Sequence, residues 1–237
     1  MNPCELVARL NPGSVRLDGG GRGGIPEYTA QDIAAMLGMM GNDPDGKPEE
    51  NERLRFAREI FCAVWWPEGA KLVKRQLDAL IGAMQFEEWR ERANDLLNAH
   101  LAVAQSSILP VSEQRFARER ADGILDRAKA RLWPALGQSP YVRIRSAVLV
   151  ELRATRICAI CEGRGQAMVD TLKVTCGSCG GSGRIAISDV QRAGMLERDE
   201  STYRHTWRSV YEWTFARVSE ADALARSFLA DGLNAAA

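Results

Sequence analysis

Four of the six cysteines fall in two copies of one phrase, Cys158-Ala-Ile-Cys161-Glu-Gly163-Arg-Gly165 and Cys176-Gly-Ser-Cys179-Gly-Gly181-Ser-Gly183. Each phrase places two sulfurs about one turn apart around a tight bend, and the glycines beyond the second cysteine let backbone amides turn towards them. Fourteen residues separate Cys161 from Cys176. That is close to zinc-ribbon spacing and long enough for a hairpin, with Val169, Leu172 and Val174 as strand residues. Four thiolates fill a tetrahedral Zn2+ and leave no position for water, so one structural zinc is expected, held by Cys158, Cys161, Cys176 and Cys179. The repeated spacing argues against four buried free thiols, and neither ferredoxin spacing fits an iron-sulfur cluster. Cys62 lies in an apolar helical stripe and reads as core, and Cys4 stands apart near the N-terminus.

A second set of polar residues follows the cysteines. Ser188 suits a helix cap ahead of DVQRAGML, and Asp199 or Ser201 suits the start of a second helix after a turn near Glu197. In that second helix Tyr203, Trp207, Val210, Tyr211, Thr214, Phe215 and Val218 recur at spacings of three and four, an inward stripe. Ser201, Arg204, His205, Arg208 and Glu212 are left outside. The run from Gln191 to Trp207 thus reads as a helix-turn-helix, with Ala193 at the packing position and Glu197 where a turn glycine is usual. Arginine, histidine and serine near the start of an exposed helix are the side chains that reach base edges in a major groove. A solvated face on an ordinary core helix would look similar. The only histidines are His100 and His205, with no carboxylate cluster at ligand spacing and no phosphate loop, so no enzyme, catalytic residue or small-molecule substrate is expected.

The elements that must hold these residues are mostly helical. Residues 1 to 26 are rich in glycine, asparagine and proline and read as a flexible arm. Thr29 caps a short helix carrying Ile33, Met36, Leu37 and Met40. Residues 52 to 66 form a helix ending at Pro67, and residues 68 to 105 carry two further helical patterns, one through Leu77 and Ile81, one through Leu96 and Leu101. Residues 112 to 132 continue the style, and Tyr141 to Ile157 leads straight into Cys158. The expected divisions are an acidic arm with a short helix (1–50), a helical middle (51–140) and a zinc-binding and DNA-binding region (141–237).

Hydrophobic residues make up 46% of the chain and charged ones 26%, a globular composition. The net charge is zero, so any attraction to nucleic acid must be local. Residues 1–50 carry four basic and eight acidic side chains, whereas residues 141–164 carry Arg143, Arg145, Arg153, Arg156 and Arg164 against Glu151 and Glu162. No signal peptide or bilayer-crossing run is legible, which gives the expectation of a cytoplasmic protein that uses CxxC pairs for metal rather than disulfides.

The two CxxC-x-G-x-G units, the helix with Trp207-Arg-Ser-Val-Tyr211, and the early phrase TAQDIAAMLGM together resemble the late-gene antitermination protein Q family of lambdoid phages. The likeness covers about residues 27–41 and 158–237. It implies a mostly helical DNA-binding protein whose zinc loop interrupts a helix-turn-helix. Tyr141 to Ile157 would then be the first helix, in competition with the contiguous arrangement above, and under either arrangement the resemblance implies Arg204, His205 and Arg208 as DNA contacts and, after them, Arg153, Arg156 and Arg164 as phosphate contacts. It also implies the partners: double-stranded DNA at a late promoter, and a bacterial RNA polymerase with its sigma factor, paused soon after initiation and made to ignore terminators in the host cytoplasm. Two alternatives come from other classes. One is a zinc-dependent protein-binding module, since CxxCxGxG is also the unit of DnaJ-type cysteine domains, which carry four units rather than two. The other is a DNA-binding regulator of a different kind.

Overall fold

The computed structural model describes residues 30–65, 71–137, 139–154, 156–157, 160, 166–169, 172–179, 184–185 and 187–235. The N-terminal arm, the Thr29 cap, Cys158, Cys161 and Arg164 lie outside the described residues. The described chain is mostly helical. Helix α1 (Ala30–Met39) ends at Gly41, whose φ of 77° only glycine adopts without strain. Arg55 Nε donates to the Gly41 carbonyl at 2.8 Å, which ties this corner to the next helix.

That helix, α2 (Pro48–Trp65), opens on a proline and two glutamates, the residue types that fit a helix N-terminus and its positive dipole end. Helix α3 (Lys71–Ser106) is a single rod of 36 residues, about 54 Å long. The sequence carries two helical patterns over this stretch, and the structure joins them. The difference lies in what the inner face carries midway. Leu77 and Ile81 are followed on the same face by Gln85, Glu88 and Arg92, and only then by Leu96, Ala99 and Val103. The polar middle hides the continuity of one stripe, and no proline intervenes to break it.

Helix α4 (Val111–Arg131) folds back antiparallel on the far half of α3. This hairpin has a small core of its own, Ala99, Leu125 and Ala128, with Leu96 and Val103 against it. Arg92 closes the hairpin's base: it pairs with Glu88, donates to the Arg131 carbonyl at 2.7 Å, and stacks 4.5 Å from the centre of the Trp133 ring. Helix α5 (Ser139–Ala154) then crosses back under α3. At the crossing Gly82 has no side chain, and the Arg145 guanidinium fills that space and donates to the Asp78 carbonyl at 2.7 Å. A β-carbon at Gly82 would clash with that guanidinium.

The cysteine segment leaves and rejoins the helices through two short antiparallel ladders. Strand β1 (Arg156–Ile157) pairs with β4 (Arg184–Ile185), and between them β2 (Gln166–Val169) pairs with β3 (Leu172–Thr175). Val169, Leu172 and Val174 are strand residues, as their β-branched and apolar types suggest. Helix α6 (Asp189–Met195), the single turn α7 (Glu200–Thr202), a π-helical turn (Tyr203–Trp207) and α8 (Arg208–Ala235) complete the chain. Residues 200–235 run without a break.

Helices α2, α3, α5 and α8 share one core, and α1 lies against α8. It draws Leu37 and Met40 from the first stretch, Phe61 and Ile81 from the middle, and Ile144, Tyr211 and Leu229 from the last. The three sequence divisions therefore meet in one hydrophobic cluster. Aromatic edges set its interior: Trp133 meets Trp213 and Tyr141 meets Trp207, each pair at 5.3 Å between ring centres and nearly perpendicular. No helix among the described residues is long and apolar enough to cross a membrane.

Candidate nucleic-acid interface

The sequence places Ser188 ahead of α6, and there its hydroxyl accepts from the Gln191 amide while the Gln191 side chain accepts from the Ser188 amide, a reciprocal capping box. Helix α6 ends with the Arg198 amide donating to the Ala193 carbonyl and the Glu197 amide to the Gly194 carbonyl, both at 3.0 Å. This is the bonding of a Schellman end, and it requires a left-handed residue at Glu197, whose φ is 52°. A non-glycine residue there costs roughly 1 kcal/mol. Arg143 offsets that strain by pairing with the Glu197 carboxylate and donating to the Leu196 carbonyl at 3.1 Å.

Asp199, rather than Ser201, caps the following helix, accepting from the Thr202 amide at 2.8 Å and from its hydroxyl at 2.6 Å. These bonds hold the Asp199 carboxyl below its ordinary pKa, the Thr202 hydroxyl contributing most. Ala193, Leu196 and Tyr203 are buried against one another's elements, so the two helices are joined through packing as well as through the turn.

A buried ionic cluster fixes this pair on the body. Glu151 of α5 is 1% exposed. Its two oxygens accept from Arg192 of α6 at 3.0 and 2.7 Å, and one of them also accepts from the Tyr211 hydroxyl of α8 at 2.7 Å. The Arg192 guanidinium lies 4.9 Å from the centre of the Tyr211 ring. Burial works to lower the Arg192 pKa, and its bonds to Glu151 outweigh that and raise it. Burial, reinforced by the bond to Glu151, likewise raises Tyr211. The cluster joins the helix before the cysteine segment to the two helices after it.

On the outer side, Ser201, Arg204, His205 and Arg208 are all exposed, and Tyr203, Trp207, Val210, Tyr211, Thr214 and Val218 are all buried, with Phe215 partly so. Both arginine forks are already engaged. Arg204 pairs with Glu200 and, at 3.5 Å, with Asp189. Arg208 donates to Glu212 at 2.7 Å and lies 3.8 Å from the same Asp189 oxygen. The bond to Glu212 is the main reason the Arg208 pKa is raised.

Among the other candidate arginines, Arg153 stands apart from this face. Arg153 is turned towards α2, donating to the carbonyls of Ala63 and Val64 in its last turn. Arg156 contributes its backbone to β1, opposite Ile185. Cys176 is buried and Cys179 half-buried, three residues apart in a turn, with the Cys179 sulfur 3.9 Å from the Cys176 carbonyl oxygen. Among the described residues no three histidine, cysteine, aspartate or glutamate side chains come together as a metal site, and Cys158 and Cys161 are not among those residues. Sequence reasoning missed Asp189, Arg143 and the Glu151 cluster. Glu151 was legible in one respect: it stands at helical spacing from Ile144 and Val148, on the apolar face of α5, where a carboxylate demands a partner.

The chain matches no protein-family model, no curated protein and no solved structure.

Proposed function

We propose that this protein is a DNA-binding transcription antiterminator of the phage Q type, which contacts double-stranded DNA through α6 and the start of the following helix, engages RNA polymerase and its sigma factor at a promoter-proximal pause, and suppresses termination. The observation that carries the DNA part is the junction at Glu197. A Schellman-ended helix, a left-handed turn residue and an Asp199-capped second helix expose Ser201, Arg204, His205 and Arg208 on one side while Ala193 and Tyr203 pack on the other. That is the disposition a helix-turn-helix needs to offer its second helix to a major groove. The contiguous form is the one that the left-handed turn at Glu197 offers, since it joins α6 directly to the Asp199-capped helix.

Cys176 and Cys179 offer half of a tetrahedral thiolate set, and Cys158 and Cys161 supply the other half by the same spacing. When bound, Zn2+ would cross-link the segment and leave no open position for chemistry. The action is then binding, not catalysis: contacts that favour the elongating over the paused polymerase shift the balance between them. The polymerase role rests on the resemblance of the two cysteine units and the Trp207 to Tyr211 phrase.

The test is transcription in vitro with host polymerase on the DNA flanking the gene and a strong terminator downstream. Readthrough that depends on the promoter-proximal DNA supports the proposal. Specific DNA binding without readthrough would leave a regulator of another kind, and preference for unfolded polypeptide over DNA would favour the DnaJ-type module. Arg208→Ala should weaken DNA binding about tenfold with an unchanged melting temperature.

A further inference from the structure

On the exposed face of the helix pair, two guanidinium groups face three carboxylates. Arg204 has Glu200 and Asp189, and Arg208 has Glu212 and Asp189. Among these five described side chains the balance is one negative charge, the reverse of a surface built to attract any DNA backbone. The three acids are not equivalent. Glu200 and Glu212 are 40% and 49% exposed at the side chain, each one turn along the same helix from its arginine, and are free to swing into water. Asp189 is 22% exposed, short, and fixed at the first position of α6 behind the Ser188 cap. Among the described residues it alone lies within 4 Å of both forks.

We infer that Asp189 is a specificity-determining residue, an acidic gate that cancels the attraction of Arg204 and Arg208 for phosphate and releases them only to acceptors that outcompete it. The inference rests on the DNA-binding reading above. A lone phosphate approaching the two forks meets the Asp189 charge, and gains little by displacing it. A guanine edge accepts two hydrogen bonds from one guanidinium in a fixed plane while leaving the second carboxylate contact intact, so it is penalised less. The gate therefore lowers binding to every sequence but lowers it most where only phosphates are on offer. A protein with zero net charge and an arginine-bearing recognition helix gains its specificity ratio this way, by repulsion of the wrong site rather than by added contacts to the right one.

The experiment is fluorescence anisotropy with a mixed-sequence DNA duplex over a range of salt concentrations, using the full-length protein and Asp189→Asn. Loss of the gate should tighten binding to this duplex about tenfold and steepen the slope of log affinity against log salt by about one phosphate's worth. The gain should vanish when Arg204 and Arg208 are both alanine. Asp189→Ser, which keeps a small polar residue in the first turn of α6, should behave as Asp189→Asn does and serves if that variant fails to fold. Unchanged affinity in both Asp189 variants, alongside weakened binding by Arg204→Ala, would overturn the gate and leave the DNA reading standing. A gain that persists without the two arginines would reduce Asp189 to a general charge and overturn it too. No duplex binding by any form at low salt would remove the DNA reading, and the gate with it.

Discussion

Single residues show how closely stability and candidate function are joined here. Glu151 is a carboxylate in the core of a helix bundle, and such a group is tolerated only because Arg192 and Tyr211 supply three hydrogen bonds to it. Glu151→Ala would strand the Arg192 guanidinium, itself 11% exposed, and should cost about 3–5 kcal/mol. Tyr211→Phe removes one neutral donor and leaves the ion pair whole, at about 1 kcal/mol. Urea denaturation of the two variants checks the ordering, and equal losses would mean that the ion pair adds nothing beyond its neighbours. In the sequence, Glu151 was visible as a charge on an apolar face, but its partner Arg192 was not. Arg192 lies beyond the cysteine segment, and no helical periodicity extends across that gap.

At the scale of elements, periodicity was most legible where a face stays apolar and least where it turns polar. The stripe from Tyr203 to Val218 stands inward as its spacing required, and α2 and α4 begin and end within a few residues of the expected bounds. Helix α3 reads as two patterns because Gln85, Glu88 and Arg92 occupy its inner face midway. Each has its own partner there: Gln85 donates to Thr214 of α8 at 3.0 Å, and Arg92 pairs with Glu88. The Thr214 partner, like the Arg131 carbonyl that Arg92 also reaches, belongs to another helix, which a single stripe does not reveal. The same rod therefore serves two cores, the main cluster at one end and the α3–α4 hairpin at the other. Leu125→Ala empties the largest side chain of the hairpin core and should cost about 2–3 kcal/mol. Because the two cores are distinct, the loss should be local. Hydrogen exchange should quicken in α4 and the far half of α3 and stay unchanged in α8, whereas uniform quickening would show that hairpin and bundle open as one unit.

For the whole molecule, the cysteine segment is an excursion between helices that are already joined without it. Helix α5 precedes it, α6 and α8 follow it, and the Glu151 cluster and the Arg143 contacts to Leu196 and Glu197 bind the two sides together. The main core draws on α1, α2, α3, α5, α6 and α8, and no residue of the excursion among the described ones joins it. Metal at the four cysteines is thus expected to order the segment and the approach to Ser188, not to hold the bundle. Cys161→Ser should take zinc from one ion per chain to none, measured by elemental analysis, while the circular dichroism of the helices and their melting temperature change little. DNA binding should be lost in the same variant, because β4 leads within a few residues into the Ser188 cap and Asp189, and a loosened segment no longer fixes where α6 begins. Global unfolding on zinc loss would instead make the metal part of the core, as it is in small zinc domains. Undiminished DNA binding by the metal-free variant would separate the cysteines from the helices proposed to face DNA.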